Sequence, residues 1–167
     1  MDNRHFPTVY ESNKDDSHCF RRWYYIGRLY RNKRVFHGRE LIVITGATSG
    51  IGLALANELA SRNCHLVLGC RNLTNGILVR KELEQQVGPA NTVDIFELDL
   101  SSLKSVVGFV DSVNSLRKPI YALVNNAGIF YAEPGLTIDG IEQTFQVSTH
   151  TQEWVVWQYC LNILQIL

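Results

Sequence analysis

The residues with the clearest chemical use stand together at Thr45-Gly46-Ala47-Thr48-Ser49-Gly50-Ile51-Gly52, between an apolar β-branched run and a segment of helical period. Glycines at these spacings let the backbone turn tightly and let an anion approach without a Cβ in the way. A helix opening on such a turn offers unpaired amides and the positive end of its dipole, so the group it suits is a phosphate or pyrophosphate. A glycine trio alone is a weak signal. Strand, glycine turn and helix in succession give it the context of a dinucleotide-binding unit.

Two further positions refine that chemistry. About nineteen residues after Gly52 the second apolar run ends at Cys70-Arg71-Asn72, where an acid would hold the ribose 2′-hydroxyl of NAD. Arginine stands there instead, and a guanidinium can pair with the 2′-phosphate of NADP that an acid would repel. The expectation is therefore NADP in preference to NAD; the alternative is that Arg71 only opens a solvated loop. Asp99, at the end of the third run, falls in the crevice where parallel sheets bind ligands. Its alternative role is to cap the helix that opens near Ser102.

Four short strands and three helices would position these groups. Leu41–Thr45, Leu66–Leu68, Val93–Leu98 and Ile120–Val124 are nearly continuous in apolar character, as strands covered on both faces are. Ile51–Arg62, Leu73–Val87 and Leu103–Leu116 carry apolar residues at helical spacings. Alternation predicts βαβ units and an α/β fold and, with the glycine turn, a Rossmann-type, doubly wound parallel sheet, here of about four strands. Asn72 and Ser101 are expected N-caps, and Gly88-Pro89 ends the second helix.

TGATSGIG at Thr45–Gly52, Asp99 after the third strand and Asn125-Asn126-Ala127-Gly128 after the fourth resemble, in order and spacing, the short-chain dehydrogenase/reductase family. The wording of Cys70-Arg71-Asn72, Asp99-Leu100 and Thr137–Val147 is similar to its retinol-dehydrogenase and WW-domain-oxidoreductase branch. The resemblance covers roughly residues 39–147. It implies that Thr45, Gly46, Ser49, Gly50, Ile51 and Gly52 form the pyrophosphate turn and that Arg71 with Asn72 selects the 2′-phosphate. It further implies that Asp99 and Leu100 receive the adenine, and that Asn125, Ala127 and Gly128 line the adenosine ribose and steady the central strands.

The family transfers a hydride between a nicotinamide and an alcohol or carbonyl carbon. It uses a tyrosine four residues before a lysine whose charge lowers the tyrosine's pKa, a serine upstream and an asparagine on the preceding helix. That asparagine would follow Val147, where this chain has Ser148, and Thr149-His150-Thr151-Gln152 then departs from the family wording. The nineteen remaining residues are too few for the next strand and the serine, tyrosine and lysine. Tyr10 and Lys14 match the spacing but precede the first strand, so no catalytic residue is assigned. The expectation is a product truncated after its nucleotide-binding half, inactive alone, with an edge at Ile120–Val124 that invites pairing with other chains. From Trp154 to Leu167 only Gln158, Asn162 and Gln165 are polar, which predicts an apolar tail helix with one narrow polar stripe.

Composition bounds the rest. The 167 residues carry 16 Lys+Arg and 16 Asp+Glu, a balance that argues against nucleic acid as partner. The neutrality averages a basic leader, residues 1–40 with nine Lys/Arg and five Asp/Glu, and a mildly acidic remainder with seven and eleven. Three segments follow: the leader 1–40, the nucleotide-binding half-domain 41–147 and a divergent tail 148–167. Residues 21–36, basic and aromatic, suit an anionic membrane surface or, alternatively, form a solvated arm. Four cysteines without CxxC or zinc-finger spacing predict neither metal site nor disulfide framework. Without an apolar leader or an ~18-residue apolar run, the expected address is the cytosol, with membrane association through the leader left open. Two functions compete: an NADP-dependent oxidoreductase of lipophilic alcohols or carbonyls, and a catalytically silent nucleotide-binding or interaction module that joins a complete family subunit as a homo- or hetero-oligomer.

Overall fold

In a computed structural model, residues 39–88, 92–130, 134–153, 155 and 156 are described. The basic-aromatic segment 21–36 and most of the apolar tail, including Trp154, Trp157, Leu161 and Leu164, lie outside them.

The apolar runs form four strands: β1 (Leu41–Thr45), β2 (His65–Cys70), β3 (Val93–Glu97) and β4 (Ile120–Val124). Between them lie α1 (Gly50–Ser61), α2 (Leu73–Val87) and α3 (Leu103–Ser115). All strand pairs are parallel and the order is β3-β2-β1-β4. The chain therefore steps outward from β1 to β3 and then returns to the other side of β1, which makes the β1–β4 gap the switch point of the sheet.

Side chains alternate across a strand, and here both faces are covered. Ile42, Ile44, Leu66 and Leu68 pack with Ala56, Leu59 and Ala60 of α1 and Val79 and Leu83 of α2. Leu41, Val43 and Val67 pack with Val106, Phe109, Val110 and Val113 of α3 on the opposite face. Each fully buried Leu, Ile, Val or Phe among them stabilises by roughly 1.5–3 kcal/mol over its exposed state, so these two layers are the main hold on the strand ends. β4, at the edge of the described sheet, is only partly buried.

Caps set the helix starts. Asn72 accepts a hydrogen bond from the Asn75 amide at 3.2 Å, as expected. At α3 the cap is Ser102, which accepts from the Ser105 amide at 3.3 Å; the expected Ser101 instead donates to Asp99, because the chain is still turning there. After β4 a short helix α4 (Gln143–Phe145) continues into a π-helical turn, Gln146–His150. Helical backbone runs on through 151–153, without a break at 147.

At the amino ends of the strands, buried His65 sits between Asp94 and Lys118. An ammonium can only donate, so Lys118 Nζ donates a hydrogen bond to Nδ1 (3.0 Å) and Nε2–H donates to Asp94 Oδ2 (2.7 Å). This chain of bonds ties β2 and β3 to the entry of β4. Among the described residues no helix is long and apolar enough to cross a membrane.

Candidate functional site at the carboxyl ends of the strands

The glycine turn is built on Thr45, fully buried at the end of β1. Its Oγ1 accepts the amides of Asn126 and Ala127, each at 3.0 Å, while Asn126 Nδ2 donates to the carbonyls of Thr45 and Gly46 at 3.1 Å. The β1 and β4 exits are thereby locked together. A Cβ on Gly52 would stand 2.3 Å from the Gly46 carbonyl oxygen and 2.4 Å from Asn126 Nδ2, so the turn closes only around glycine. Gly50 is glycine for another reason: its φ of +55° is left-handed, with open space where a Cβ would point.

Ser49 precedes α1 in extended conformation and makes no side-chain cap, and the first turn of α1 holds no acidic residue. The amides of Gly50, Ile51 and Gly52 thus face an approach with no competing carboxylate of the helix's own, and the residues present fit a pyrophosphate.

A cavity of ≈ 220 Å³ opens beside this turn, walled by Thr45, Gly46, Arg71, Asn72, Asp99, Leu100, Ala127 and Gly128 together with Ile129 and Val147. One strand end after another contributes to it, as the order β3-β2-β1-β4 requires. Ser49, Gly50, Ile51 and Gly52 are outside this lining, at the start of α1. Asn125 is also outside it; its Nδ2 donates to the Gln152 carbonyl at 3.3 Å. A larger cavity, ≈ 950 Å³, lies at the amino ends near Arg39, His65 and Lys118 and holds none of the expected residues.

Arg71 is exposed on the cavity wall, and among the described residues it forms no ion pair. Asp99 is constrained otherwise than a helix cap would be. Its Oδ1 accepts from the Ser101 amide (2.9 Å) and hydroxyl (2.6 Å), and its own amide donates to Ser105 Oγ (2.9 Å). The carboxylate that helps start α3 belongs to Asp139, whose Oδ2 accepts the Leu103 amide at 2.8 Å.

Burial pushes the Cys70 thiol on the cavity wall up to about 11, so it is no nucleophile at neutral pH. Cys64 is raised to about 11 in the same way, by burial first and then by the Glu40 carboxylate. Among the described residues no cluster of three or more His, Cys, Asp or Glu could hold a metal.

Sequence reasoning missed four residues that shape this site. Asn126 was passed over between two assigned neighbours, although an amide side chain after a strand is a natural lock for a facing turn. Ser148, Thr151 and Gln152 lie where the motif wording had ended; their spacing of three and four on a helix was the available signal.

Comparison with known proteins agrees with this geometry. Residues 40–162 match the short chain dehydrogenase family, past residue 147 where the motifs end. The chain is 37% identical over 135 residues to the WW domain-containing oxidoreductase of Gallus gallus, covering 78% of this chain and 32% of that protein. It is 36% identical over 109 residues to human retinol dehydrogenase 11, covering 65% and 34%. The solved structure of a short-chain dehydrogenase from Sphingobium yanoikuyae in complex with NADPH superposes with a TM-score of 0.62 at 25% identity, covering 75% of this chain and 49% of that one. The chain thus spans about a third of the length of these curated relatives. Its sheet order, its glycine turn and the length of the family match together place the chain in the short chain dehydrogenase family of oxidoreductases.

Proposed function

We propose that the chain binds NADP(H) in preference to NAD(H), as the nucleotide half of a site for alcohol and carbonyl oxidoreduction. The carrying observation is Arg71, exposed on the cavity wall at the end of β2 while the acid on that wall, Asp99, is held by Ser101. A guanidinium there makes a charge-assisted, bidentate pair with a 2′-phosphate and finds only a neutral acceptor in a 2′-hydroxyl. When bound, the nicotinamide supplies or accepts the hydride. The turn amides of α1 hold the pyrophosphate, and Asp99 and Leu100 border the adenine.

A lipophilic alcohol or carbonyl, retinoid- or steroid-like, is the proposed substrate class of the complete site; the similarity to retinol dehydrogenase 11 supports it. These 167 residues contain no tyrosine-lysine pair after β4 to exchange the proton, and a positioned acid/base is worth roughly 10²–10⁴ in rate. Alone, they are proposed to bind without turnover. The partly buried edge of β4 favours a second reading, in which the module joins a complete family subunit through that edge.

Calorimetric titration tests the nucleotide. NADPH should bind roughly 10–100-fold tighter than NADH, the share of one or two charge-assisted hydrogen bonds. Arg71→Glu should abolish that preference. Equal affinities in the native chain would overturn the NADP reading, and absence of saturable binding would overturn the nucleotide reading altogether.

A further inference from the structure

Ser148, Thr151 and Gln152 share one helix face by their spacing of three and four, and that face meets the two loops that wall the cavity. Ser148 Oγ accepts the Ile129 amide and donates to the Ile129 carbonyl, both at 3.0 Å. Thr151, fully buried, donates from Oγ1 to the Leu100 carbonyl at 2.9 Å. Gln152, 5% exposed, donates from Nε2 to the carbonyls of Ala127 and, at 3.2 Å, Val147. Leu100, Ala127, Ile129 and Val147 all line the cavity.

The carbonyls of Leu100, Ala127 and Ile129 belong to backbone that has left the sheet, so no strand ladder can satisfy them, whereas that of Val147 lies in the helix itself. The helix supplies the missing donors from one side, and over Gln146–His150 it is wound in the π form, which recurs at functional sites. The donors reach both the β3 exit, through Leu100, and the β4 exit, through Ala127 and Ile129.

We propose that Ser148, Thr151 and Gln152 form a clamp that fixes the separation of the β3 and β4 exits and so sets the width of the nucleotide cavity. They act as positioning residues, through the loops they hold. The segment that follows the recognisable motifs is thereby an integral wall support. This inference rests on the nucleotide reading and deepens it.

The test uses the whole chain with two readouts. The first is calorimetric affinity for 2′,5′-ADP and NADPH; the second is amide exchange at Ile129 by NMR without nucleotide. Thr151→Val keeps the shape and removes the donor, and should weaken 2′,5′-ADP roughly fivefold, the share of one hydrogen bond. Thr151→Ser should restore it to within about twofold. Ser148→Ala should weaken NADPH by a similar factor and speed Ile129 exchange about tenfold or more, with Ser148→Thr restoring both. Lower thermal midpoints in Thr151→Val and Ser148→Ala with unchanged affinities and unchanged Ile129 exchange would reduce the face to ordinary packing and overturn the clamp. If the native chain binds neither nucleotide, the nucleotide reading fails. Unchanged exchange in Ser148→Ala would then overturn the clamp as well, whereas faster exchange would retain it as a structural coupling of the two loops.

Discussion

Gly50 and Gly52 differ by two positions and carry different physical demands. At Gly50 the demand is on φ, and an added methyl points into open space; at Gly52 it is on volume, since the methyl would meet backbone 2.3 Å away. Gly50→Ala should therefore cost about 1 kcal/mol, the usual penalty for left-handed alanine. Gly52→Ala should cost about 1–3 kcal/mol by overpacking. Urea denaturation of both variants checks the ranking, and equal losses would show that the turn relaxes around Gly52. The glycines were legible in sequence because their types and spacing name the turn directly. Thr45 was legible as a member of the motif, but its partnership with Asn126 depends on β1 and β4 being neighbours. Likewise, the fate of Asp99 turned on a competition among Ser101, Ser102 and Asp139 that adjacent serines alone do not resolve.

Elements were legible where the hydrophobic period is strong. β1, β4 and α2 match their expected spans, and the others shift by one or two residues at the ends, where hydrogen-bond geometry rather than pattern decides. The start of α4 was not legible, because it depends on one carboxylate. Glu142 accepts the amides of Thr144 (2.9 Å) and Phe145 (2.7 Å), and these bonds hold its carboxyl below the usual range. A carboxylate whose folded pKa is depressed stabilises above its unfolded value, and that contribution disappears as pH falls through the folded value. The cap should accordingly release only under acid conditions below the ordinary glutamate range of about 4.3, seen as coincident NMR shifts of the Thr144 and Phe145 amides with pH. Glu142→Gln should remove that titration; its persistence would assign the transition to another group.

At the scale of the whole molecule, the α/β class followed from alternation, whereas the order of the strands was not legible, because a periodic pattern does not say which strands are neighbours. Two thiols, Cys64 and Cys70, lie in the layer beneath α1 and α2, and both are raised to about 11 from an ordinary 9.0. The folded state thus keeps its thiol protons longer than the unfolded chain does. Stability from this source is fully present below pH 9 and declines as pH rises through about 11. The urea midpoint of the native chain should fall over that interval, and Cys64→Ala/Cys70→Ala, although less stable at neutral pH, should show a distinctly shallower decline. An identical slope in the double variant would place the alkaline sensitivity elsewhere.

The bonds between Thr45 and Asn126 join residues 81 apart in sequence. Contacts this distant are entropically costly to close and tend to form late in folding. The turn that names the family is written first in the chain and is completed only when the last described strand takes its place beside β1. Its phosphate-facing amides are therefore organised by long-range closure, and a bound nucleotide would report the finished topology of the sheet.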